Sequence, residues 1–204
     1  MFIAEFQEVG RDLFTRGLVS SHGGNMSMRF GDRLLITRRG AKLGHLTELD
    51  LIETGIERND RATPTASSEL AVHRAIYQST QAHAVLHAHP PYALALSFLV
   101  DELVPIDAEG RDLLEQVPII GTEVIARVRD VLEEVVASLE THKVVIVRGH
   151  GTFARGQLLD EAHRWTSLLE ESCKIASIVR FMGGSGKMPG KSKVSRSASA
   201  ILRA

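Results

Sequence analysis

Ala82-His83-Ala84-Val85-Leu86-His87-Ala88-His89-Pro90-Pro91 is the stretch that leaves this chain least freedom. Small and branched apolar residues alternate with histidines and a Pro-Pro pair ends the run, so it reads as a short extended segment. Strand side chains repeat every two residues, so His87 and His89 leave one face and can reach a single metal ion. His83 shares that face and is the substitute ligand if another fails. A third ligand has to come from elsewhere in the chain.

Upstream, Phe2, Phe6, Val9, Leu13 and Phe14 stand at helical spacing over residues 2–16, with Gly17 where a left-handed cap would sit. A small polar loop, Ser20 to Asn25, leads into an alternating strand over 25–30. Gly31-Asp32 then turns the chain into Arg33-Leu34-Leu35-Ile36-Thr37, as a two-residue hairpin loop requires. Gly24 lets a ligand approach backbone N–H groups, with Asn25 and Ser27 adding polar contacts. Thr37-Arg38-Arg39-Gly40-Ala41-Lys42 reads as an anion cradle or a solvated basic loop. Leu46 to Leu51 suggests a brief helical turn capped by Thr47, and residues 53–64 a surface hairpin or loop.

Thr65 through Tyr77 reads as a helix whose N-terminus carries Ser67 and Ser68, two hydroxyls beside free backbone N–H groups where an anion is favoured. Glu69 lies in its first turn, either as a dipole-compensating cap or as a catalytic carboxylate, and His73 follows one turn later on the same face. Beyond the prolines, residues 92–99 resume a helical pattern, while 101–116 give no clear pattern. Val117-Pro118-Ile119-Ile120 is a short strand. Gly121-Thr122 opens a long helix bearing Val124, Ile125, Val128, Val131, Leu132, Val135 and Leu139 on one face. Lys143 to Val147 is a buried strand that exits through Arg148-Gly149-His150-Gly151-Thr152. A histidine held between two glycines in a tight turn is the natural third ligand, His150.

Asp160 through Met182 forms a last helix with Trp165, Leu169 and Cys173 at core spacing, and Cys173 there is an inert core thiol. Residues 183–204 form a basic Gly/Ser-rich tail with no acid, leaving 1–182 as one domain. At 204 residues the chain suits one domain burying roughly 70% of its unfolded surface. The formal charge of −1 gathers no nucleic acid, and no apolar run reaches the ~20 residues of a membrane helix. A single cysteine and the lack of a secretory signal favour the cytoplasm.

Three neutral imidazoles leave a tetrahedral divalent ion one open position, the arrangement of a catalytic zinc site. Such an ion activates water or polarises carbonyl and hydroxyl oxygens, stabilising an enediolate. Gly24, Asn25, Arg39, Gly40, Ser67 and Ser68 suggest a phosphate or similar anion on the substrate, with Glu69 moving protons.

The ordered set Gly24-Asn25-Met26-Ser27, Ile36-Thr37-Arg38-Arg39-Gly40, Ser67-Ser68-Glu69 with His73, His87-Ala88-His89-Pro90 and Gly149-His150-Gly151 resembles the class II aldolase/adducin family. It is most similar to the L-fuculose-phosphate aldolase members, and related to L-ribulose-phosphate epimerases, over about residues 5 to 182. The resemblance implies an α/β, three-layer αβα sandwich with a central mainly antiparallel sheet. It also implies one Zn2+ per subunit, or another divalent metal, on His87, His89 and His150. Glu69 would be acid/base and would touch the metal before substrate arrives, with Asn25, Ser67 and Ser68 on phosphate. The implied assembly is a homotetramer with active sites between subunits.

The implied reaction is aldol cleavage of a small phosphorylated ketose to dihydroxyacetone phosphate and an aldehyde through a zinc-stabilised enediolate. Sugar-phosphate 4-epimerisation and sugar-acid-phosphate decarboxylation are the alternatives, and an adducin-like binding or assembly module is the non-enzymatic one. Two residues depart from the aldolase pattern. Arg39 stands where Ser or Thr is usual, and Val117 is placed where a neighbouring subunit's tyrosine would protonate the leaving aldehyde.

Overall fold

The computed structural model describes residues 2–183. The basic tail expected over 183–204 therefore lies, apart from Gly183, outside the described residues. The first helix, α1 (Phe2–Thr15), buries Phe6, Val9 and Leu13. It ends as the sequence suggests: Gly17 takes a φ of 70°, its N–H bonds to the Phe14 carbonyl, and the Leu18 N–H reaches back to Leu13.

Strands β1 (Asn25–Phe30) and β2 (Arg33–Thr37) form the expected hairpin around Gly31-Asp32, pairing Phe30 with Arg33. β3 (Leu51–Gly55) adds antiparallel to β2, so part of the stretch expected to be a surface hairpin or loop is the edge of the main sheet. Next come α2 (Leu70–Ser79), β4 (Ala84–Ala88), α3 (Pro91–Ser97), β5 (Glu102–Leu103) and α4 (Ala108–Leu113). The chain continues through β6 (Val117–Ile120), α5 (Leu132–Thr141), β7 (Val144–Val147), β8 (Gly151–Gly156) and α6 (Leu159–Phe181).

The eight strands form one sheet in the order β3-β2-β1-β4-β8-β7-β6-β5. Every pairing is antiparallel except β6 with β7. Strand alternation divides the core between the two faces. Met26, Met28, Ala84, Leu86, Ala88, Val144 and Ile146 pack with α1, α3 and α6 on one side. Leu34, Ile36, Val85, Val145, Val147 and Phe153 pack with α2 and α5 on the other. The result is the three-layer αβα arrangement, with β4 at its centre.

All five residues of β4 are buried. Burying Val85 and Leu86 contributes roughly 1.5–3 kcal/mol each, enough to carry the adjoining His87 imidazole out of water.

Beyond β3, other elements also differ from the sequence expectation. α2 starts at Leu70 rather than Thr65, because the preceding residues are held against the end of β2. Arg38 bridges Ala66, and the Ser67 N–H bonds to the Thr37 carbonyl. The helix expected from Gly121 begins only at Leu132, after a 3-10 turn over Val128–Val131. Residues 121–127 are drawn elsewhere: the Ile125 N–H bonds to the Arg148 carbonyl, the Arg148 guanidinium bonds to the Gly121 carbonyl, and Val124 is 61% exposed. β-Branched residues resist helix weakly, so a competing tertiary bond decides the outcome. Finally, β8 has no counterpart in the sequence reading, and α4 lies in the stretch that gives no pattern.

Candidate active site

β4 aims His87 at the α2 side of the sheet, and His89 follows just past the strand end on the same parity. Their Nε2 atoms stand 3.0 Å apart. His150 comes from the turn between β7 and β8 and lies against His87, ring centroids 5.3 Å apart. One nitrogen from each of His87, His89 and His150 falls within 4.8 Å of the others. Ligands of a tetrahedral zinc at 2.0–2.1 Å are about 3.3 Å apart, so the donor set suits such an ion. Bare lone pairs this close repel unless a cation or a proton is shared between them. His83 is exposed at the far end of the strand and outside this cluster.

The His87 Nδ1–H donates to the Thr152 carbonyl at 2.9 Å, which leaves Nε2 with its lone pair facing the cluster. Burial pushes His87 down to about 3; Glu69 opposes the shift, while His89 and His150 add to it. His89 is lowered as well, by burial and by His150. Both rings are therefore neutral near pH 7, the form a metal requires.

Glycines make the crowding possible. A Cβ on Gly151 would lie 2.7 Å from His87 Cε1 and 2.6 Å from the Ala88 carbonyl. Gly24 has a φ of 77°, and its Cβ would meet the His87 carbonyl at 2.8 Å.

Glu69 occupies the N-cap position of α2 but makes no side-chain capping bond. Instead its Oε1 lies 3.1 Å from His150 Nε2, its Oε2 lies 3.3 Å from His87 Nε2, and Asn25 Nδ2 donates to Oε2 at 2.9 Å. Burial alone would raise this carboxyl. The hydrogen bonds from His150 and the Asn25 amide, with the nearby His87 and His73 imidazoles, outweigh it and hold the pKa at about 2. Glu69 is thus an ionised carboxylate turned onto the histidines rather than onto its own helix.

The residues expected to hold phosphate come from three adjoining segments. Thr37 accepts the Met26 N–H through its hydroxyl, and the Arg39 N–H bonds to the Thr65 carbonyl, so the 24–26, 37–40 and 65–68 backbones are stitched together. Arg39, Gly40 and Ser68 are exposed, Gly24 is partly covered, and Ser67 and Asn25 are buried. The free helix-end donors expected here are partly spent. Glu69 N–H bonds to Ser67 Oγ, and the Leu70 and Val72 N–H groups bond to the Ser67 and Glu69 carbonyls.

Val117, the residue placed where the aldolases carry a tyrosine, is 1% exposed and packs in the core on β6. A contribution not foreseen is Glu170, whose two oxygens accept the Tyr92 and Ala93 N–H groups at 3.0 Å each. It caps α3 from α6, three residues after His89. No local motif signals it, since 78 residues separate Glu170 from Tyr92.

A histidine triad with a facing carboxylate, set at the centre of a mainly antiparallel αβα sheet, defines the class of site. The chain belongs to the class II aldolase and adducin N-terminal domain family, whose model matches residues 4–177. It is 30% identical to an L-fuculose phosphate aldolase of Methanococcus maripaludis over 88% of this chain and 98% of that one. It is 31% identical to a 3-oxo-tetronate 4-phosphate decarboxylase of Haemophilus influenzae, over 82% and 83% of the two chains. The crystal structure of L-fuculose-1-phosphate aldolase from Thermus thermophilus superposes with a TM-score of 0.82 at 38% identity, covering 90% of this chain and 96% of that one.

Proposed function

We propose that this chain is a zinc-dependent aldolase that cleaves a small phosphorylated ketose, such as L-fuculose phosphate, into dihydroxyacetone phosphate and an aldehyde. The observation that carries the reading is the convergence of His87, His89 and His150 with an ionised Glu69 turned onto them. His87, His89 and His150 would hold the ion, with Glu69 as a further ligand before substrate binds. A bound divalent cation would supply polarisation of the ketone and neighbouring hydroxyl, lowering the cost of an enediolate.

The remaining work falls to side chains. Glu69, displaced from the histidines by the substrate's oxygens, would take the proton of the hydroxyl that becomes the aldehyde as the carbon–carbon bond breaks and deliver it to the enediolate carbon left behind. Gly24, Asn25, Ser67, Ser68, Arg39 and Gly40 would hold the phosphate. Arg39 could grip a carboxylate equally well, and the decarboxylase relative supports decarboxylation of a sugar-acid phosphate as the second reading.

Residues 1–182 would act as one domain in the cytoplasm; among the described residues no helix is long and apolar enough to cross a membrane. The assembly in this reading is a homotetramer with shared sites. Exposed Phe98 and Val124 support it, because both approach Gly149, the neighbour of His150.

Incubating zinc-loaded protein with a panel of phosphorylated ketoses and sugar-acid phosphates tests the proposal. Release of dihydroxyacetone phosphate is expected. Carbon dioxide alone would establish the decarboxylase reading, and an inverted centre the epimerase one. Purified protein without stoichiometric metal and without turnover would point to the binding module.

A further inference from the structure

On the α2 face of the sheet, Asn25, Ser27 and Arg29 project at alternate positions of β1, while Glu69, His73 and Tyr77 project at every fourth position along α2. Two strand residues span about 6.7 Å and four helical residues about 6 Å, so the two series run in step. They meet as a ladder. The Tyr77 hydroxyl is 2.7 Å from Ser27 Oγ, and Ser27 Oγ is 2.6 Å from His73 Nδ1. His73 Nε2 is 2.5 Å from Asn25 Oδ1, and Asn25 Nδ2 is 2.9 Å from Glu69 Oε2. Arg29 closes the far end by donating to the Tyr77 carbonyl.

Hydrogen-bond capacity sets the direction of every link. The Glu69 carboxylate only accepts, so the Asn25 side facing it is the amide nitrogen. That turns the Asn25 carbonyl to His73, which must donate from Nε2. A neutral ring then leaves Nδ1 bare, to accept from the Ser27 hydroxyl, and Ser27 in turn accepts from Tyr77. His73 and Ser27 are fully buried and Tyr77 is 1% exposed, so water cannot substitute for any partner.

We propose that His73 is a positioning residue: it locks the Asn25 carboxamide with its N–H toward Glu69 and thereby aims the Glu69 carboxylate at the histidine cluster. The inference rests on Glu69 being the group that moves the proton. Asn25 is then committed on both ends, with one amide hydrogen left for a substrate anion. The ladder also explains why an imidazole lies in an apolar core: it is the piece that donates on one side and accepts on the other at fixed geometry.

Long-range 1H–15N NMR of the full chain, metal-free and zinc-loaded, reads the ring directly, with a His73→Gln sample assigning the signal. The expected result is a proton on Nε2 and a bare Nδ1. A proton on Nδ1, or an imidazolium at neutral pH, would overturn the proposal. Exchange of the Asn25 side-chain amide protons should be about tenfold faster in His73→Leu; an unchanged rate would overturn it.

With zinc-loaded protein, His73→Leu should lower kcat roughly 10–100-fold with KM within about threefold, and His73→Gln, which keeps a donor and an acceptor, should recover most of it. Equal losses in both variants would contradict positioning. The NMR arms need no substrate, so a failure of the aldolase reading and a failure of this inference are told apart.

Discussion

His150 Nε2 and Glu69 Oε1 stand 3.1 Å apart although 81 residues separate them in sequence. The contact joins the β7–β8 turn to the start of α2 across two strands of the sheet. It turns a carboxylate that could have capped its own helix into part of the candidate metal site.

Glu69→Gln keeps the shape of the side chain and removes its charge. Zinc retention close to that of the unaltered protein is expected, because the three imidazoles remain. Turnover should fall by roughly 10²–10⁴. Metal analysis and initial rates on one preparation check both; unchanged turnover with metal bound would remove Glu69 as the base.

Gly151→Ala should disturb the centre without touching a ligand. Its Cβ would press on His87 Cε1 at 2.7 Å and on the Ala88 carbonyl at 2.6 Å, in a part of the sheet where neither can yield cheaply. Overpacking of this kind costs roughly 1–3 kcal/mol. A lower denaturation midpoint together with weaker zinc binding is expected.

Glu170→Ala removes the acceptor of the Tyr92 and Ala93 N–H groups, and Pro90, at the N-cap of α3, offers no side chain in its place. Loss of a cap costs about 0.5–2 kcal/mol. Since the helix begins directly after His89-Pro90, zinc affinity should fall along with stability. Urea titrations and a competing chelator measure the two effects separately.

The metal-free protein should be sensitive to acid well before its carboxylates titrate. Burial lowers His73 from an ordinary 6.5 to about 4, Glu69 opposing. Between those values the unfolded chain binds a proton that the folded one refuses. The His73 contribution is therefore complete above pH 6.5 and is lost as pH falls toward 4, amounting to roughly 3 kcal/mol. Urea midpoints at pH 7.5 and 4.5 should differ accordingly, and His73→Gln should narrow the gap.

Much of the site was legible because its pieces are local. A period-two pair, His87 and His89, is visible on any strand, and Gly149-His150-Gly151 is visible as a turn after an apolar run. The hairpin and the cap at Gly17 are equally short-range. What escaped was set by tertiary partners. β8 begins and ends on glycine and carries only Thr152 and Phe153 as strand-favouring residues, too little to announce a strand, yet its Thr152 carbonyl fixes the His87 tautomer. The helix expected from Gly121 does not form there because Arg148, in the turn after β7, binds that segment. Asn25 reads in sequence as an anion contact, and only the fold shows that His73 and Glu69 hold both its ends.

The central claim is that His87, His89 and His150 hold the metal on which carbon–carbon cleavage depends. Its most direct measurement is dihydroxyacetone phosphate release from a phosphorylated ketose before chelation, after chelation and after stoichiometric zinc is returned, with His150→Ala carried in parallel. The expected result is activity lost and regained with metal, and a His150→Ala protein that is folded but neither holds zinc nor recovers. Cleavage that survives complete removal of metal, or that persists in His150→Ala, would contradict it.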